Sequence, residues 1–169
     1  MIPELNPRQR AWVEVSPAAI RANARALCQH LGPRTQLMAV VKADGYGHGA
    51  ETVARAALQG GATSLGVATL QEGLELRRAG LEAPVLLLSN LNEPDDLRTC
   101  LHWRLMPTLS SLRDAQLCNA LAADSGRCFD VQLKIDTGMA RLGCSLSEGH
   151  QTAAALQSLE PVSYTHLRA

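Results

Sequence analysis

A chain of 169 residues with a formal net charge of zero, 19% charged and 3% aromatic residues has the composition of a folded α/β protein, not of a disordered tail. No basic block occurs, so nucleic acid is not indicated as a partner, and the longest apolar runs are about strand length, too short to span a membrane. The prolines and charges of the opening MIPELNPRQR do not form a signal-peptide core, which makes the cytoplasm the expected location.

In chain order, Trp12 to Val15 alternates briefly and reads as a short strand, and Ser16 with Pro17 supplies an N-cap and a first-turn proline. The following helix carries Ile20, Ala24, Leu27 and Leu31 on one face and stops at Gly32 and Pro33. Leu37 to Val41 is an apolar run that fits a strand covered on both faces. It delivers Lys42 into a turn containing Gly45, Gly47 and Gly49, after which Ala50, Val53, Ala54, Ala57 and Leu58 mark an amphipathic helix.

The unit then recurs. Strand Ser64 to Thr69 precedes helix Leu70 to Ala79, strand Val85 to Ser89 precedes a helix opened by Asn92 and Pro94, and strand Met106 to Ser110 precedes helix Leu112 to Ala123. Pro107 cannot donate to a ladder, so it is expected at the first position of its strand. Phe129 to Asp136 is the fifth strand, Ser145 and Glu148 form a capping box for the helix bearing Ala153, Leu156 and Leu159, and Val162 to Leu167 is the sixth strand.

Strands alternating with helices imply right-handed βαβ crossovers and a parallel sheet. Six βα strands exceed a small flavodoxin-like sheet and fall short of a closed (β/α)8 barrel, which takes about 250 residues. The expected architecture is therefore α/β, an incomplete TIM-type barrel with six of eight parallel strands: a leading strand and helix over 10–33, then βα units over 34–169, in a single barrel portion.

Two stretches carry chemistry. Lys42 sits where a strand ends, the end at which ligands bind in parallel α/β folds, and a desolvated lysine amine can form a Schiff base with an aldehyde. The same spacing also fits a surface lysine where a strand meets its loop. Lys134 to Gly143, KIDTGMARLG, repeats the pattern with a second cation, Arg141, whose fork of donors suits a carboxylate or phenolate oxygen. Asp136 can pair with either cation or cap the turn. The five cysteines, Cys28, Cys100, Cys118, Cys128 and Cys144, contain no C-x-x-C pair, so structural zinc is not expected; Cys28, Cys100 and Cys118 fall on helical patterns and read as small apolar residues, and a reducing compartment follows. His30, His48, His102 and His150 read as helix-surface or turn residues.

The order of residues in AVVKADGYGHG resembles the pyridoxal phosphate attachment segment of the alanine racemases, KIDTGMARLG resembles their DTGMxRLG segment, and Tyr164 to Leu167 resembles the YTHL of their sixth strand. The resemblance implies that Lys42 holds pyridoxal 5'-phosphate and serves as one of two catalytic bases, and that Tyr46 contacts the cofactor phosphate. By the same resemblance Arg141 contacts the cofactor's phenolic oxygen and the substrate carboxylate. Lys134 matches a lysine that many members carry as a carbamate to orient that arginine, and His166 matches the histidine under the cofactor ring. Asn23 stands where the family tends to have asparagine, and Gly45 where members often have alanine. The tail 161–169 departs from the pattern, with a shorter connection and with Pro161 to Ser163 replacing an apolar residue and a glycine, so His166 reads either as the family histidine or as foreign to it.

The implied activity is interconversion of L- and D-alanine for peptidoglycan by a homodimer, in which a C-terminal β domain supplies the opposite base from the partner subunit. That domain is not recognisable in these residues, so this chain by itself is expected to be inactive. Rival readings are a racemase for serine on the same scaffold and a non-catalytic pyridoxal phosphate-binding homeostasis protein. No metal is expected.

Overall fold

The computed structural model describes residues 12–159 and 162–168, the stretch 164–168 by its backbone alone. Ser16 opens α1 (Pro17–Leu31) by accepting the Ala19 N–H at 3.3 Å, and Gly32 closes it at φ 73°. There follow β1 (Met38–Val40), a left-handed turn α2 (Lys42–Gly47), α3 (Ala50–Gln59), β2 (Ser64–Val67), α4 (Leu70–Arg78), β3 (Val85–Asn90) and α5 (Pro94–Trp103). The chain continues through β4 (Leu105–Leu109), α6 (Leu112–Ser125), β5 (Phe129–Ile135), α7 (Leu146–Gln157) and β6 (Val162–Arg168).

The described strands form one parallel sheet in the order β1-β2-β3-β4-β5-β6. Sequential parallel order forces every connection to cross back over the sheet, and the helices do this. This is the expected barrel portion.

The sheet is two-sided. Leu65, Val67, Val85, Leu87, Leu105, Leu109, Phe129, Val131 and Leu133 are buried in one cluster with Leu76, Leu97, Cys100, Ala115, Cys118 and Leu156 of the helices. Because side chains alternate along a strand, the intervening residues line the other face. There a Cβ on Gly66 would lie 3.3 Å from Met38 Sδ and 3.4 Å from Val40 Cγ2. On β5 the intervening residues are Asp130, Gln132 and Lys134.

Several expectations change. Trp12 to Val15 forms no strand among the described residues, because a short alternating run still needs a ladder partner; residues 10 and 11 lie outside the described part. Glu93, not Asn92, is the N-cap of α5, with no side-chain cap bond. Pro107 is not the first residue of its strand but the third, opposite Leu87, and the β3–β4 register shifts between Leu87 and Asn90. Pairing to β5 begins only at Thr108, so the strand accommodates a residue without an N–H where its ladder is irregular. The α1 stripe is partly covered: Ala24 is buried, whereas Leu27 and Leu31 are 52% and 39% exposed. What pins α1 is Gly60, whose missing side chain lets the Arg21 carbonyl approach to 2.5 Å from where a Cβ would stand.

At the end of the sheet away from the strand C-termini, Arg77 of α4 gathers four carbonyls. Its Nε donates to Trp103 O at 2.9 Å, Nη1 to Leu81 O and Ala83 O at 2.7 and 2.8 Å, and Nη2 to Arg104 O at 2.7 Å. No helix among the described residues is long and apolar enough to cross a membrane.

Candidate active site at the strand C-termini

The turn after β1 is conformationally expensive. Ala43, Asp44, Gly45 and Tyr46 have φ of 51°, 52°, 62° and 56° with ψ between 34° and 50°, a full turn of left-handed helix. Each L-residue in that region costs about 1–2 kcal/mol, and only Gly45 escapes most of the cost. A surface turn would not hold this shape without support.

Hydrogen bonds from within the turn and from outside it supply that support. Gly45 N–H donates to Val41 O at 2.9 Å and Gly49 N–H to Asp44 O at 2.9 Å, while the Asp44 carboxylate accepts the Ala50 N–H at 2.7 Å and so caps α3 from six residues upstream. Nδ1 of His48 lies 3.1 Å from Gly45 O and 3.2 Å from Tyr46 O. From the next βα unit, Glu72 Oε1 accepts the Ala43 N–H at 2.7 Å, and its Oε2 accepts those of Ala68 and Thr69 at 2.7 and 3.0 Å. Burial opposes ionisation of Glu72, but these three N–H donors and the Thr69 hydroxyl outweigh it and hold the carboxyl below its ordinary value.

Within this turn Lys42 is half-buried and its Nζ lies 5.9 Å from the centroid of the Tyr46 ring. Tyr46 is 61% exposed at the rim. An amine and a phenol are thus presented side by side.

The second loop leaves β5. Lys134 is only 7% exposed, and the chain beyond it returns so that Cys144 N–H donates to Lys134 O at 3.1 Å and Asp136 N–H to Cys144 O at 2.9 Å. Closing the loop this tightly requires Gly143, at φ 113°, because a Cβ there would stand 2.8 Å from Asp136 N. Asp136 caps the turn: its Oδ1 accepts the N–H groups of Gly138 and Ala140 at 2.9 and 3.0 Å, and these bonds hold its carboxyl below the usual range, with a smaller pull from the Lys134 cation. Arg141 is exposed in the loop so formed. Ser145 and Glu148 form the expected capping box on α7.

Because all described strands run parallel, the Lys42 turn and the Arg141 loop leave the sheet at the same end, that of the strand C-termini. Among the described residues no ion pair joins Lys42, Lys134 or Arg141 to Asp136. The backbone of His166 lies on β6 opposite Leu133; its side chain is outside the described part of the structure, as are residues 160, 161 and 169 of the tail. No cluster of metal-ligating side chains occurs among the described residues.

Sequence reasoning missed Glu72, Asp44 and a polar pair at the same end, Ser110 Oγ donating to Asn90 Oδ1 at 3.0 Å. Thr69 with Glu72 is a legible T-x-x-E capping box, but nothing local announces its bond to Ala43.

Residues 15–168 match the family model described as alanine racemase, N-terminal domain. The chain is 57% identical to an alanine racemase of Prochlorococcus marinus over 168 residues, 97% of this chain and 44% of the relative. It is 50% identical to one of Synechocystis over 164 residues, 95% of this chain and 44% of the relative. The solved alanine racemase from E. faecalis superposes with a TM-score of 0.81 at 35% identity, covering 91% of this chain and 42% of that one. The chain thus spans somewhat under half the length of these relatives.

Proposed function

Since the chain belongs to the alanine racemase N-terminal domain family, we propose that it carries the cofactor-binding part of a pyridoxal phosphate-dependent enzyme that interconverts L- and D-alanine. The observation that supports this most directly is the strained, multiply anchored turn that holds the Lys42 amine beside the Tyr46 phenol. Strain of this kind persists only where the surroundings over-determine it, and it concentrates at functional sites.

The donor set fits the cofactor. A half-buried primary amine meets the need for a nucleophile toward an aldehyde, a phenol and a guanidinium meet the need for donors to anionic oxygens, and all three stand at one end of the sheet. When bound, pyridoxal phosphate supplies the electron sink that acidifies the α-proton of an amino acid.

The residues of the chain supply the rest. Lys42, held in place by the turn, would take and return a proton on one face of the substrate α-carbon. Racemisation needs a second acid–base group on the opposite face, a role in this reading for the partner subunit of a homodimer. Tyr46 donates its hydroxyl to the cofactor phosphate. Arg141 offers two parallel N–H groups to the phenolic oxygen and the substrate carboxylate. Lys134, nearly enclosed and followed by a loop bearing Arg141, is the site for a carbamate, which would replace a repelling cation with acceptors able to orient the guanidinium. By the resemblance, His166 would be a further cofactor-contacting residue. The reading extends to a cytoplasmic enzyme making D-alanine for peptidoglycan, with residues 34–169 as its first six βα units.

The test is to incubate the protein carrying this chain with pyridoxal phosphate, fix the adduct with borohydride and map the peptide. One label at Lys42, with L- to D-alanine conversion in an oxidase-coupled assay, supports the reading. Label distributed over other lysines, or retained in Lys42→Ala, removes it.

A further inference from the structure

We infer that Glu72 is a positioning residue for Lys42, its carboxylate acting as a strap that fixes the strained lysine turn to the start of the neighbouring helix; this rests on the reading of Lys42 as the cofactor lysine.

Glu72 does two jobs with two oxygens. As the third residue of a capping box it owes a bond only to the Thr69 N–H, and Oε2 meets that obligation while also taking the Ala68 N–H. Oε1 is then surplus to helix capping. It reaches 29 positions back along the chain to Ala43 N–H at 2.7 Å, the amide next to the lysine. The other capping box among the described residues shows what capping alone looks like: Glu148 Oε2 accepts from Ser145 N at 3.0 Å and from Ser145 Oγ at 2.6 Å, and its hydrogen bonds among the described residues all return to Ser145.

The Ala43 amide stands at the start of the left-handed backbone. This N–H lies in the first turn of α2, where it has no acceptor within the turn, and a carboxylate oxygen is a stronger acceptor for it than a carbonyl. The strap joins β1's outgoing turn to β2's outgoing turn, so the lysine is referred to the sheet through two strands instead of one. Asp44 anchors the far side of the same turn by capping α3. Releasing the near anchor leaves a turn that can relax toward ordinary backbone conformations and carry Lys42 off its aim. Loss of aim by about 1 Å is enough to cost roughly a hundredfold in a proton transfer or an imine-forming attack.

The chemistry is specific to a glutamate. Glutamine would turn an N–H toward one of three N–H donors, and aspartate is one methylene too short to reach both turns.

The experiment compares Glu72→Gln with Thr69→Ala in the protein carrying this chain. Thr69→Ala removes the hydroxyl that accepts the Glu72 N–H at 3.2 Å and bonds the Glu72 carboxyl, and so weakens α4, but leaves all three backbone N–H donors to the Glu72 oxygens. Two readouts are taken: hydrogen exchange at the Ala43 amide without cofactor, and the rate at which pyridoxal phosphate with borohydride labels Lys42. Glu72→Gln is expected to speed Ala43 exchange at least tenfold and to slow labelling about tenfold or more at equal folded fraction, with Thr69→Ala changing either by less than threefold. Exchange that rises while Lys42 is labelled at the original rate overturns the positioning role alone. Equal effects of the two variants reduce Glu72 to a helix cap and overturn it as well. Absence of Lys42 label in the unaltered protein overturns the cofactor-lysine reading, and the positioning role falls with it.

Discussion

The Nζ of Lys42 lies 5.9 Å from the centroid of the Tyr46 ring across three residues, all of them in left-handed backbone. Residues four apart meet on one face of a helical turn, so the i, i+4 spacing brings the two side chains together; the left hand of this turn sets the backbone from which they project.

Tyr46→Phe keeps the ring beside Lys42 and deletes only the hydroxyl. If that hydroxyl donates to a cofactor phosphate, its loss removes a hydrogen bond to a charged group, about 1.5–3 kcal/mol. Affinity for pyridoxal phosphate should fall on the order of tenfold to a hundredfold in a fluorescence titration, with the borohydride label still confined to Lys42. Unchanged affinity would take Tyr46 out of the phosphate site.

Gly45→Ala should destabilise the protein by roughly 1–2 kcal/mol in urea unfolding, since the residue sits at φ 62°. Part of that cost is a specific collision, because the new Cβ would stand 2.9 Å from Val53 Cγ2. Val53→Ala should therefore offset part of the loss in the double variant. Strict additivity of the two substitutions would show that the contact is not what selects glycine.

Gly143→Ala should cost more, about 2–4 kcal/mol, because its new Cβ meets backbone and not the end of a movable side chain. The Asp136 N–H to Cys144 O bond would have to open, and Arg141 would move with the loop. A stability change as small as that of Gly45→Ala would argue that the loop yields easily and does not fix Arg141.

The acid limb of stability should contain a contribution from Glu72. Its carboxyl is held below the ordinary value of 4.5 in the folded protein, so the stabilisation is complete above that value and disappears as pH falls through the lower folded value. The difference in unfolding free energy between the unaltered protein and Glu72→Gln should shrink as the pH is taken from about 6 to about 3. A difference that stays constant over this range would mean that the carboxylate charge is not what matters.

Thiol mapping should separate the cysteines. Burial pushes Cys100 and Cys118 up to about 12, and neither thiolate forms at neutral pH, whereas Cys128 is exposed. Iodoacetamide at pH 8 should modify Cys128 first and reach Cys100 and Cys118 only in denaturant. Early modification of either buried thiol would signal local opening of the helix layer.

Strands β1 to β4 were legible in the sequence as short apolar runs bounded by turn residues, and β5 as an alternation of apolar residues with Asp130, Gln132 and Lys134. The α7 capping box was legible for a similar reason, as a pattern complete within four residues. Trp12 to Val15 misled because alternation records a preference, not the presence of a partner strand. Pro107 misled because a missing N–H was weighed against a regular ladder, while the actual ladder is irregular beside it. At the candidate site the lysine and the arginine were visible as residue types at strand ends, and Asp136 was visible as a turn former. The handedness of the Lys42 turn was not, since Ala43, Asp44 and Tyr46 have no intrinsic reason to be left-handed. What holds them there is a carboxylate from another βα unit, and a contact between such distant positions leaves no trace in local pattern.

Arg77 bears on how the molecule comes apart. The carbonyls it gathers belong to the connection from α4 to β3 and to the junction of α5 with β4, both at the end of a helix. With one guanidinium spanning both, neither connection can loosen without stripping donors from the other. The repeat visible in the sequence is a single strand and helix, but the cooperative unit here is a pair of them, so amides of the two connections should exchange together and a chain break tolerated in one would be felt in both.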